Sequence, residues 1–160
     1  MKVEPQAEHR WLEKLAGEWT SEWEASPGEG QPPRTFRGTL SARVLGGVWL
    51  LAEGRNEEPD GSTSTTVMTL GYDPVKGRFV GTFVATMMPY LWVYDGALNA
   101  AGTALELDAT GPSFSGDGSM QPYRDTVEIA GDDHWVLRSS QPGGDGAWEE
   151  FMSMHYHRAA

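Results

Sequence analysis

The chain has 160 residues, 39% hydrophobic and 22% charged, with a net charge of −11 and no cysteine. That size and balance fit one domain over residues 1–160 and argue against a disordered acidic tail. The missing cysteine excludes disulfides, zinc-thiolate and iron–sulfur centres, and the acidity, with twelve Lys and Arg scattered singly, speaks against nucleic acid and anionic membrane as partners.

The opening Met1–Pro5 lacks the apolar core of a signal peptide, and the longest apolar run, Val48–Ala52, is far short of a membrane span. A cytoplasmic location is the expectation. One helix is expected near the start. Pro5 suits a first turn, Glu8 suits the positive end of the helix dipole, and Trp11, Leu12 and Leu15 form one apolar stripe. Gly17 is read as its stop.

After Gly17 the pattern has period two. Trp19, Ser21 and Trp23 alternate with polar residues, and a Pro/Gly loop follows over Ser26–Pro33. Phe36, Gly38, Leu40, Ala42 and Val44 then share the dry face of a strand. Val48–Gly54 and Thr63–Tyr72 are further strands, and Asp73–Gly77 reads as a hairpin turn. Phe79, Gly81, Phe83 and Ala85 share a face, and Met87–Tyr90 reads as a break with a short lid-like crossing. Leu91–Leu98, Ala104–Ala109, Arg124–Ala130, His134–Ser139 and Trp148–Arg158 complete about ten strands. The expected fold is all-β: a single antiparallel up-and-down β-barrel with a short N-terminal helix.

Two details carry a resemblance. Gly17-Glu18-Trp19 opens the first strand, and Tyr156-His157-Arg158 ends the last. In this the chain resembles the calycin superfamily of lipocalins and fatty-acid-binding proteins. The resemblance implies that Arg158 packs across Trp19 in a cation–π contact. The chain is more closely similar to a bacterial family of lipocalin-like barrels catalogued as a domain of unknown function. The matching pieces are His9–Leu12, Leu15–Trp19, Leu45-Gly46-Gly47 with Trp49, Leu70–Asp73, the Gly96 strand and the Tyr156–Arg158 end. That family implies a fold and no activity.

With Arg158 inward, parity turns Tyr156, Met154, Met152 and Glu150 inward and His157, His155, Ser153 and Phe151 outward. Met152 and Met154 suit varied apolar shapes. Tyr156 and Arg158 could grip a carboxylate; the alternative is a methionine core with Arg158 serving only to cap Trp19. Trp23, Phe36, Leu40, Phe83, Trp92 and Tyr94 are the other wall candidates. Eleven residues thus form the expected ligand-binding set: Trp23, Phe36, Leu40, Phe83, Trp92, Tyr94, Glu150, Met152, Met154, Tyr156 and Arg158. The expected partner is a small hydrophobic or amphipathic molecule, with a homodimer allowed and no nucleic acid or membrane.

No nucleophile elbow Gly-x-Ser-x-Gly occurs, and no catalytic residue, metal or cofactor is assigned. Two other readings stay open. A barrel enzyme of isomerase, cyclase or lyase type would use Glu150 or Glu53 as proton carrier. A haem protein would use His134, His155 or His157 as axial ligand. His155 and His157 share a strand face, with His134 or Glu149 as a third metal ligand, against the simpler reading of solvated histidines. The acidic pairs Glu57-Glu58 and Asp132-Asp133 are expected on loops, in water.

Overall fold

The period-two stretches become strands, and each pairs with the next along the chain. In the computed structural model, which describes residues 1–26 and 28–159, the order is α1 (Ala7–Glu13), β1 (Gly17–Ala25), β2 (Arg34–Leu45), β3 (Trp49–Glu57), β4 (Thr63–Asp73) and β5 (Arg78–Ala85). There follow β6 (Met88–Leu98), β7 (Ala104–Pro112), β8 (Met120–Gly131), β9 (His134–Pro142) and β10 (Trp148–Arg158). Pro27, expected in the first loop, and Ala160 lie outside the described residues. β1 also pairs antiparallel with β10, Trp19 opposite Arg158, and so the ten strands close into an up-and-down barrel. Closure removes the edges that an open sheet would expose.

One end of the barrel is sealed. The helix is shorter than its apolar stripe: it ends at Glu13, and Leu15 packs from the turn beyond it. Gly17 does not stop the helix but begins β1, at φ 125, where a Cβ would lie 2.6 Å from Arg158 Nη1. The helix lies over the barrel end with Trp11, Leu12 and Leu15 buried. Trp11 Nε1 donates to Gly102 O (2.8 Å) and Trp19 Nε1 to Leu15 O (2.9 Å). Gln6 N donates to His9 Nδ1 (2.9 Å), which leaves Nε2 as the donor toward Tyr72 O (3.1 Å). Two loops and the helix are thereby tied to the floor.

The other end differs. The expected lid at Met87–Tyr90 does not form: a tight turn at Thr86-Met87 leads straight into β6 at Met88. Pro89 fits because this part of β6 lies beyond its ladder with β7, which runs from Asp95–Leu98 against Leu105–Asp108. Past Asp95 side chains span the seam. Tyr90 Oη donates to Thr110 O (2.7 Å), and the Trp92 ring lies on Gly111, where a Cβ would come within 2.0 Å of it. Only glycine admits the indole there. Among the described residues, no helix is long and apolar enough to cross a membrane.

Candidate functional site

Inward residues near this second end leave a cavity of about 210 Å³. Small residues at Ala109 and Gly111 on β7 make room opposite Trp92 and Tyr94 on β6. Phe83, Met88, Tyr123, Leu137 and Met152 supply apolar wall. Phe114, Tyr123 and Phe151 meet edge to face at 5.3–6.3 Å and rim the mouth. A second lobe of about 210 Å³ shares Phe83, Met87, Leu137 and Met152 with the first. It adds Trp23, Met154 and Tyr156, and a more polar side at Asn56, Glu58 and Thr66.

A single carboxyl group stands in the apolar lobe. On β8, Tyr123, Asp125 and Val127 alternate with outward residues, and parity carries Asp125 into the barrel. Tyr94 Oη donates to Asp125 Oδ2 (2.5 Å) and Ser139 Oγ to Oδ1 (2.7 Å). Burial raises the Asp125 pKa, while these two hydrogen bonds pull it back. Burial and the nearby carboxylate push the Tyr94 hydroxyl well above its usual range. The arrangement can accept a hydrogen bond from a guest or, when protonated, donate one. In the second lobe the Trp23 indole N–H is buried without a hydrogen-bond partner among the described residues. An unmet buried donor costs about 1–3 kcal/mol.

The expected wall set divides. Trp23, Phe83, Trp92, Tyr94, Met152, Met154 and Tyr156 line the two lobes. Phe36 and Leu40 face inward but are packed into the wall, Phe36 being fully buried against Trp23. Glu150 does not face inward. A β-bulge between Glu150 and Met152 shifts the register by one residue, so Glu150 reaches outward to Arg138 (3.2 Å) and Phe151 turns to the cavity mouth. Arg158 lies beyond the floor. Its guanidinium stacks over Trp19 at 4.2 Å and donates to Ala16 O, Asp132 O and Asp133 Oδ1. It is spent on structure and stands apart from any carboxylate held in the cavity. Asp132 and Asp133 lie in the exposed turn before β9, as expected, where Asp133 also pairs with Arg158, and Glu58 accepts from Ser64 Oγ at the edge of the second lobe.

The residues expected to carry the two alternative readings also lie outside the cavity. Glu53 is exposed on the outer wall, 3.9 Å from Arg55. His155 and His157 alternate with the inward Tyr156, and His134 sits opposite His157, so all three line the outer face. None can reach a haem in the barrel. Burial, then His157 and His155, lower the His134 pKa, opposed by Glu128. Sequence reading missed Asp125, Ser139 and Glu58. The alternation Tyr123, Asp125, Val127, Ile129 held the signal: an acid on an otherwise apolar strand face.

A family profile described as "Protein of unknown function (DUF1579)" matches residues 4–158. The crystal structure of Rv2717c from M. tuberculosis is similar at a TM-score of 0.66 and 14% identity, over 98% of this chain and 100% of that one. A redesigned beta barrel is a looser likeness, with a TM-score of 0.39 and 12% identity over 94% of this chain and 96% of that one. No curated protein matches the chain.

Proposed function

The chain belongs to the family described as "Protein of unknown function (DUF1579)", and from that premise we propose that its barrel binds one small, largely apolar molecule through the open end. The observation that carries this reading is Asp125, the one carboxyl in the wall of the largely apolar lobe. Cavities of this kind hold a guest by apolar contact and orient it by a few polar points. Here the point in the apolar lobe is Asp125, and the second lobe adds a polar side at Asn56, Glu58 and Thr66. The guest is therefore a compact, largely apolar compound with a group that hydrogen-bonds Asp125. Met87, Met88 and Met152 give a wall that adapts to its outline.

Native mass spectrometry of gently purified protein should show one small adduct per chain. The probe N-phenyl-1-naphthylamine, apolar with one N–H, should bind saturably and quench the tryptophan emission to which Trp92 contributes. Met152→Trp fills the shared wall of both lobes and should abolish binding. Equal binding by that variant would put the probe on the outer surface and sink the reading.

A second reading rests on the same carboxyl. An acid whose pKa is raised by burial beside a cavity suits proton transfer. On that reading Asp125, in place of Glu150 or Glu53, is the proton carrier of an isomerase- or lyase-type reaction. Asp125→Asn would then abolish conversion of the adduct compound while the probe still binds.

A further inference from the structure

The outer wall near the sealed end carries a second constellation, separate from the cavity. Antiparallel pairing sets His157 of β10 opposite His134 of β9, and His155 lies two residues earlier on the same face. Facing side chains in such a pair stand about 4.5–5.5 Å apart at Cβ, so register alone gathers three imidazoles. The His134 and His157 rings stack at 4.4 Å and 15°, and His134 Nε2 lies 2.9 Å from His155 Nδ1. One ring nitrogen from each lies within 4.8 Å of the others. Across the β1 seam, Glu22 is paired with His155, and its Oε1 is 3.8 Å from His157 Nε2. On the far side Glu128 is held by Arg138.

We propose that His134, His155 and His157 bind one divalent transition-metal ion of zinc type on the outer wall, leaving a coordination position open. Tetrahedral bonds of about 2.0–2.1 Å to nitrogen place ligand atoms about 3.3 Å apart. The rings are stacked within 12–26° of parallel, so they must turn out of the stack to aim one nitrogen each at a single ion. Three neutral imidazoles and no thiolate suit zinc over hard cations such as magnesium. The Glu22 carboxylate, 3.8 Å from His157 Nε2, stands outside the ligand set where a metal-binding imidazole usually finds its hydrogen-bond partner. Three protein ligands leave the fourth position to water or an anionic guest, the arrangement of a reactive rather than a purely structural zinc centre.

The test uses untagged full-length protein stripped with a chelator. Calorimetric titration with Zn²⁺ should give one ion per chain, and Mg²⁺ should give none. His155→Ala and His157→Ala should each weaken Zn²⁺ binding more than about tenfold, and Glu22→Gln should weaken it less. In the unaltered protein the imidazole ¹H–¹⁵N signals of all three histidines should shift together at one equivalent, with that of His9 fixed. Unchanged affinity in both alanine variants, or a shift confined to one histidine, would overturn the site. The imidazole spectrum decides the matter even if a variant fails to fold.

Discussion

The two ends of the barrel are built on opposite principles. At the sealed end His9, Trp11, Trp19 and Arg158 each bond to backbone carbonyls or a carboxylate, although the buried Trp135 N–H beside Trp19 goes unmet among the described residues. At the open end Met87, Phe114, Met120 and Phe151 are exposed by 44–63%, and the Trp23 N–H goes unmet. The shut end is crossed by side-chain hydrogen bonds between distant parts of the chain, and the open end is rimmed by exposed aromatic and methionine side chains around the cavity. The difference separates a structural base from a recognising mouth on one continuous sheet.

The largest test of that contrast is a pair of truncations. Trp19→Ala removes a ring with 2% exposure at the floor and should cost about 3–5 kcal/mol in urea unfolding. Phe114→Ala at the mouth should cost less than about 1 kcal/mol while weakening probe binding. Similar losses at both ends would break the contrast. Next in size, Arg158→Ala should destabilise by about 1–3 kcal/mol through its lost charged hydrogen bonds, and Arg158→Lys should recover only part because it lacks the planar fork. Probe affinity should be unchanged in either.

The smallest effect is a pH slope. Burial holds the folded pKa of Asp125 above its unfolded value, which for an aspartate is about 3.9. The folded chain therefore binds this proton more tightly than the unfolded chain. The contribution to stability is greatest below the unfolded pKa and is lost as pH rises to the folded pKa. Asp125→Asn should remove that slope, so its stability relative to the unaltered protein should improve as pH rises above about 4 toward the raised folded pKa. A relative stability that stays flat would mean the carboxyl is better solvated than its place in the barrel implies.

The barrel was legible because alternation survives in nearly every strand, and a strand tells inside from outside by parity alone. Reading backwards from Arg158 put Tyr156, Met154 and Met152 on the correct side. It failed at Glu150 because a bulge adds one residue without marking Glu149–Met152 in any way. The seam at Tyr90–Trp92 was unreadable for a related reason: what matters there is Gly111, nineteen positions after Trp92. Asp125 was legible in principle from the alternation of its strand. The histidine triad was half legible, since His155 and His157 share parity on one strand while the place of His134 depends on register between two strands.

Barrel closure has a consequence for how the chain is made. β1 finds its second neighbour only in β10, with Thr20 opposite His157 and Trp23 opposite Met154. During synthesis β1 must wait for all the intervening strands, its outer backbone groups unpaired and open to other nascent chains. The late pairing also spans the longest loop the fold contains, which slows closure. Until β10 arrives, Arg158 cannot cover Trp19, and the floor and the wall are completed in the same final event.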